Sequence, residues 1–166
     1  MALVFNADEI FEIAEQIERN GSRYYRKAAA GSVDARVRQV LTGLAAMEDR
    51  HEQTFADLRR QLTSKERQET TYDPEGQSAA YLRAMADGCV FDVDADPAER
   101  LTGRESAEEI LCKAVELEKD SIVFYLGVKD MVTESLGKKR IEDIIREEMN
   151  HISTLSEQLR NLKGGK

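Results

Sequence analysis

The sequence contains few of the residues on which several classes of protein depend. It has no tryptophan and only two residues each of proline, histidine and cysteine among its 166 residues. Cys89 and Cys112 form no Cys-x-x-Cys pair, so the sequence encodes no thiolate-bound iron centre, and we expect two reduced thiols. No apolar run approaches the roughly 20 residues that a membrane-spanning helix needs.

The charge balance argues against nucleic acid as a general partner. The net charge is -8, so there is no basic excess to neutralise phosphates. Residues 1–8 lack the basic and apolar regions of a signal peptide, and we therefore expect a cytoplasmic location. The chain is 41% hydrophobic and 34% charged, which is typical of long helices around an apolar core and not of a disordered chain.

Four long helices are predicted, arranged as two antiparallel hairpins. A capping box begins the first helix of each hairpin: Asn6 with Glu9 in one, and Ser106 with Glu109 in the other. The turn within each hairpin is short, so its two helices should be neighbours in space. The predicted helices span about 7–30, 33–63, 106–133 and 138–162.

A long crossover connects the two hairpins. It contains both prolines, Pro74 and Pro97, and a short helix is predicted within it at about 77–87, ended by Gly88. We expect a single domain over residues 1–166. Its parts are hairpin 1 at about 7–63, the crossover at 65–103 and hairpin 2 at about 106–162.

One pattern of potential metal ligands occurs twice, at an offset of 100 residues. Both histidines belong to Glu-x-x-His segments, Glu48 to His51 and Glu148 to His151. Positions i and i+3 share a helix face, so each segment presents a carboxylate and an imidazole together. A lone glutamate precedes each segment by 30 residues: Glu18 and Glu118.

This inventory suits two divalent transition-metal ions inside a helical bundle. Four carboxylates and two imidazoles would supply the ligands. Other matches between the halves indicate an internal duplication, which predicts a pseudo-two-fold axis between the two metal positions. They are Glu9/Glu109, Ile10/Ile110, Ala14/Ala114, Tyr25/Tyr125, Thr54/Thr154, Arg60/Arg160 and Leu62/Leu162.

The helical register places these polar residues among apolar ones. Leu44 precedes and Phe55 follows the Glu48–His51 segment at core spacing, and the other three helices repeat the arrangement. A buried charge without compensation costs several kcal/mol, and bound cations would compensate it. The same register directs four neighbouring acidic residues to solvent: Glu15, Glu52, Glu116 and Glu147.

Two tyrosines accompany the pattern. Tyr25 and Tyr125 occupy matching positions in the two halves. Two roles stay open for them: packing beside the site, or hydrogen bonding to a carboxylate that binds metal.

The chain resembles the ferritin-like di-iron carboxylate proteins, and within them the rubrerythrins, at Glu18, Glu48-x-x-His51, Glu118 and Glu148-x-x-His151. The resemblance covers nearly the whole chain and implies an all-α, ferritin-like four-helix bundle that holds two iron ions, for which zinc or manganese could substitute. It implies that Glu48 and Glu148 bridge the metals, that the lone glutamates are terminal ligands, and that each histidine binds one metal. It also suggests a homodimer, with hairpins exchanged through the crossover as one possible arrangement.

The sequence departs from the rubrerythrins in two respects. It has no rubredoxin domain with paired Cys-x-x-Cys motifs, so electrons would come from a separate donor protein or a small molecule. Rubrerythrins carry an extra glutamate one helical turn after the ligand on the third long helix. Ser121 stands there, and Gly21 is its counterpart in the first half. The smaller residues would leave space beside the metals for a small oxygen species.

The resemblance implies a redox enzyme that reduces hydrogen peroxide or dioxygen in oxidative-stress defence. Two alternatives stay open. One is the oxidation of Fe(II) followed by its storage or delivery. The other is a non-catalytic bundle that a structural metal stabilises and that binds a partner. No Ser–His–Asp or Cys–His arrangement competes, because both histidines belong to the metal pattern.

Overall fold

Helices make up most of the chain in the computed structural model, which describes residues 6–67, 77–86 and 95–164. Two short 3₁₀ turns, Pro97–Arg100 and Glu134–Leu136, precede the last two long helices. The described part contains no strand. The α-helices are α1 (Ala7–Gly31), α2 (Ala35–Gln61), α3 (Gln77–Ala86), α4 (Ala107–Met131) and α5 (Lys138–Gly164).

Side-chain caps begin the first three long helices. In α1, the Glu9 N–H donates to Asn6 Oδ1 at 2.9 Å, and the Asn6 N–H donates to Glu9 Oε2 at 3.0 Å. Ser106 and Glu109 form the same reciprocal pair at the start of α4, so both predicted capping boxes are confirmed. Asp34 caps α2, which therefore begins two residues later than predicted. These caps satisfy backbone donors that the first helical turn leaves unpaired.

Each pair of long helices packs as a hairpin. α1 lies against α2, and α4 lies against α5. Gly137 makes the second turn possible because its φ of 97° lies in the left-handed region that favours glycine. The backbone reverses there and enters α5 at Lys138.

The described parts of the crossover pack against two of the long helices. Its helix α3 lies against α4 and corresponds to the predicted short helix, whereas Pro74, Gly88 and Cys89 lie outside the described residues. Gly127 allows the close approach, because a Cβ there would lie 2.5 Å from the Tyr81 ring. The 3₁₀ turn at Pro97–Arg100 lies against α1. Cys112 is an exposed free thiol on α4.

Two apolar clusters fill the bundle, and the polar residues of the metal pattern lie between them along every long helix. On α2, Leu41 and Leu44 belong to one cluster, while Phe55 and Leu58 belong to the other. The 25- to 27-residue helices thus bury an unbroken seam on both sides of their central glutamates and histidines. None of the helices in the described part is long and apolar enough to cross a membrane.

A buried hydrogen bond between the two hairpins provides a test of the packing. The Tyr24 hydroxyl donates to the Ile110 carbonyl at 2.9 Å, and Tyr24 is buried. We expect Tyr24→Phe to lower the free energy of unfolding by about 1 kcal/mol, because a buried hydrogen bond is lost without replacement by water. Urea unfolding followed by circular dichroism, at constant metal content, would measure it.

Tyr81→Phe is the matched control for this bond. The Tyr81 hydroxyl also donates to a helix carbonyl, that of Val123, at 2.6 Å, but this pair is exposed. Water can replace the exposed bond, so the control should cost less than about 0.5 kcal/mol. Equal costs for the two variants would contradict the assigned role of Tyr24.

Candidate metal centre

All six residues of the duplicated pattern converge in the middle of the bundle. Each long helix contributes: α1 and α4 bring one glutamate each, and α2 and α5 bring one glutamate and one histidine each. None of the six is more than 5% exposed. They are Glu18, Glu48, His51, Glu118, Glu148 and His151.

The donor atoms form two overlapping groups. Glu18 and His51 belong to one group, Glu118 and His151 belong to the other, and Glu48 and Glu148 belong to both. Within each group, the donor atoms lie within 4.8 Å of one another. Two metal ions that are bridged by carboxylates require this arrangement, in which two glutamates are shared between two sets of donor atoms.

Both imidazoles present Nδ1 to the carboxylates. His51 Nδ1 lies 3.0 Å from Glu148 Oε1 and 3.4 Å from Glu18 Oε2. His151 Nδ1 lies 2.8 Å from Glu148 Oε2 and 3.2 Å from Glu48 Oε1. Nδ1 is therefore the atom by which each ring would bind a metal.

Several of these buried atoms make no hydrogen bond of good geometry within the described part of the chain, although some of them lie close to one another. They include Glu18 Oε2, Glu48 Oε1, both carboxylate oxygens of Glu148 and His51 Nδ1. Buried polar groups are normally paired, so such a concentration of unpaired acceptors is costly without a further partner. A cation supplies that partner, and this donor set of carboxylate oxygens and imidazole nitrogens fits a divalent transition metal.

The electrostatics of the cluster favour bound protons when no metal compensates the charge. Burial, followed by the charges of Glu18 and Glu148, raises the pKa of Glu48 well above its usual value. Burial and the charge of Glu148 raise the pKa of Glu118 to about 8. Burial also acts to raise the pKa of Glu148, but interactions with both histidines and Glu118 outweigh it and lower that pKa.

Burial acts on the pKa values of the histidines in the opposite direction. Burial alone would lower the pKa of His51, but its close contacts with Glu148 and Glu18 outweigh burial and raise the pKa to about 11. Burial is outweighed in the same way at His151, where Glu118 and Glu148 raise the pKa to about 9. Without metal, both imidazoles thus carry protons that offset the surrounding carboxylates.

The two tyrosines bind the terminal carboxylates crosswise. The Tyr25 hydroxyl of α1 donates to Glu118 of α4, and the Tyr125 hydroxyl of α4 donates to Glu18 of α1. Burial, together with the charge of the accepting glutamate, raises the pKa of each phenol well above its usual value. The tyrosines therefore hold carboxylates in place in addition to packing, which was one of the two roles left open by the sequence.

A cavity of about 150 Å³ lies beside the cluster where the sequence places small residues. Gly21 and Ser121 line it, together with Tyr25, Glu48 and Glu118. It is thus an open space that reaches two of the carboxylates and one of the phenols.

Glu147 is half-exposed, as the helical register predicts, but it also contacts the cluster. Its Oε2 lies 2.9 Å from His51 Nε2, although the register directs it to solvent and its side chain is 46% exposed. The contact joins residues 96 positions apart, so no local pattern signals it. The other three acidic neighbours do form ion pairs away from the cluster: Glu15 and Glu52 with Arg19, and Glu116 with Lys113.

Comparison with known proteins agrees with this architecture. No protein-family model and no curated protein matches the sequence. The chain is similar to the crystal structure of a candidate ferritin-like diiron-carboxylate protein from Thermotoga maritima, with a TM-score of 0.75 and 25% sequence identity over 95% of this chain and 96% of that one. The predicted all-α, ferritin-like four-helix bundle is thereby confirmed.

Metal uptake should release protons and become stronger as the pH rises. His51, His151 and Glu118 have pKa values of about 11, 9 and 8 without metal, so all three carry protons at neutral pH. A metal ion must displace protons to bind, and the apparent affinity for Co²⁺ should therefore increase at least about tenfold per pH unit between about pH 6 and 7.5. Titration against a competing chelator would measure the affinity. An affinity that does not change over this range would contradict the protonated state of the metal-free cluster.

Proposed function

We propose that this chain holds two iron ions between its six buried ligands and reduces hydrogen peroxide or dioxygen there, as a rubrerythrin-like protein without a rubredoxin domain. The observation that carries the proposal is the convergence of four carboxylates and two imidazoles in the dry centre of the bundle, with several donor atoms unpaired. The similarity to a candidate diiron-carboxylate protein supports iron as the metal.

The donor set suits this chemistry. Hard carboxylate oxygens favour the ferric state, and imidazoles bind iron in either oxidation state. Bound as Fe(II), the two ions would supply the two electrons that cleavage of the O–O bond of peroxide consumes. We propose that Glu48 and Glu148 bridge the ions, because these two glutamates belong to both donor groups.

The surrounding residues would position the ligands and the substrate. Tyr125 binds Glu18 Oε1, which leaves Glu18 Oε2 for a metal. Tyr25 binds Glu118 Oε1, the oxygen that also lies 3.2 Å from His151 Nδ1. Tyr25 also lines the cavity, and its raised pKa keeps the proton on its hydroxyl at neutral pH. The Tyr25 hydroxyl proton is already donated to Glu118, so a small oxygen species in the cavity would lie beside a phenol that holds this carboxylate in place.

The partners follow from what the site requires. We propose that a separate donor protein or a small molecule returns electrons after each turnover, because the sequence lacks the cysteine motifs of a built-in donor. The homodimer, the cytoplasmic location and the absence of nucleic-acid and membrane partners stay predictions.

Iron loading followed by oxidation tests the proposed function. Anaerobic loading with Fe(II) should give about two irons per chain, as expected for a site in a bundle core, and peroxide or dioxygen should oxidise both. Glu148→Ala should lose iron binding, whereas the matched control Glu157→Ala, which changes an exposed position of the same helix, should keep it. Iron analysis and Mössbauer spectroscopy would follow both steps. Retention of many irons would favour storage, and the absence of any oxidation would favour a structural metal.

The role of the cavity can be tested at Ser121. Ser121→Leu should fill space beside the cluster and slow the oxidation of the Fe(II) protein by peroxide on the order of tenfold, with unchanged iron content. Stopped-flow absorbance would measure the rate. Gly21 is the less suitable position, because a Cβ there would lie 3.3 Å from Glu48 Oε2 and would disturb a ligand.

Ser153→Leu is the matched control for the cavity. Ser121 and Ser153 each donate to the carbonyl four residues earlier, at 3.1 Å, but Ser153 is exposed on α5. The control should leave the rate unchanged. Equal rates for Ser121→Leu and the unmodified protein would remove the cavity from the proposal.

A further inference from the structure

The two histidines of the centre differ at the nitrogen that faces away from the carboxylates. His51 Nε2 lies 2.9 Å from Glu147 Oε2. His151 Nε2 is buried and has no hydrogen-bond partner among the described residues. The Nδ1 sides of the two rings, by contrast, are alike. Each Nδ1 lies near the shared Glu148 and near the lone glutamate of its own half of the chain, which is Glu18 for His51 and Glu118 for His151.

The internal duplication explains where the difference arises. Glu147 directly precedes the ligand Glu148 on α5, and the residue at the matching position of α2 is Met47. A thioether is only a weak hydrogen-bond acceptor, so Met47 cannot replace a carboxylate. The two halves therefore have the same candidate metal ligands. They differ in the residue that would accept a hydrogen bond from the histidine of the other hairpin, which is Glu147 in one half and Met47 in the other.

This difference changes the two rings as ligands. A carboxylate that accepts a hydrogen bond from Nε2–H fixes the tautomer whose Nδ1 lone pair is free, orients the ring and makes it a stronger donor to metal. His51 has this support. When Nδ1 of His151 binds a metal, its Nε2–H is buried without an acceptor among the residues that the structure describes.

We propose that Glu147 is a positioning residue that makes the two metal positions unequal. The position of Glu18 and His51 binds its metal first and more tightly, and the position of Glu118 and His151 releases its metal more readily. When metal is scarce, the chain therefore holds one ion, in the position of His51. The proposal rests on the dinuclear centre of the proposed function but not on its redox reaction.

Stepwise metal binding tests the proposal. Co²⁺ would be titrated into the full-length metal-free chain, with a competing chelator, by calorimetry and visible absorbance. The unmodified protein should bind in two steps whose Kd values differ by about 10- to 100-fold. Glu147→Met should weaken the first step by a similar factor and leave the second step unchanged, so that the two steps merge.

Three further variants separate positioning from a general loss of structure. Glu147→Gln keeps an acceptor oxygen and should restore part of the lost affinity. Met47→Glu would place a carboxylate at the matching position and should strengthen the second step. Glu157→Met makes the same substitution as Glu147→Met at an exposed position of α5 and should change neither step.

A spectroscopic measurement reports on the hydrogen bond itself. In zinc-loaded protein with ¹⁵N-labelled histidine, the Nε2–H proton of His51 should resonate downfield of that of His151, because it donates to a carboxylate. Glu147→Met should move only the His51 signal upfield.

Two equal binding steps in the unmodified protein, equal weakening of both steps by Glu147→Met, or an unmoved His51 signal would each overturn the proposal. Two unequal steps in a protein that peroxide and dioxygen fail to oxidise would refute the redox function and leave this inference intact.

Discussion

Four carboxylates and two imidazoles lie together in the interior of the bundle. The repulsion between the carboxylates and the loss of their hydration are unfavourable, and the surrounding structure must compensate them. Apolar residues flank them on every long helix, which leaves the cavity beside Glu48 and Glu118 as the open side of the cluster. Protons on His51, His151 and Glu118 offset part of the charge without metal. Because the same groups are the proposed metal ligands, protons and cations would compete for one site, and the metal content of the protein would depend on pH.

The two halves of the chain share the ligands but not the residues around them. Tyr25 and Tyr125 keep the symmetry, since each phenol holds the terminal glutamate of the other hairpin. Glu147 breaks it, because Met47 occupies the matching position. The Glu147 side chain is half-exposed and belongs to neither apolar cluster, so the bundle can tolerate this difference while keeping its core. One consequence is that a pseudo-symmetric protein can present two metal positions with different properties.

The crossover contributes to the site as well as to the connection between hairpins. Its 3₁₀ turn lies against α1, and Pro97 and Arg100 line the cavity that leads to Glu48 and Glu118. The four long helices alone would leave this face of the cluster without that wall. The segment that joins the hairpins therefore also defines the approach of a small substrate to the proposed centre.

The sequence by itself determined the helices and the candidate ligand set, because both arise from local or repeated patterns. Capping boxes and apolar periodicity act within a few residues, and the duplication identifies six polar side chains that share the core faces of their helices. Only the tertiary structure decided which partners these side chains meet. The tyrosine contacts join residues 93 and 107 positions apart, and the Glu147 contact joins residues 96 positions apart. Such contacts depend on side-chain rotamers and on how helices from different hairpins approach one another, and neither is encoded in the spacing of residues along one helix.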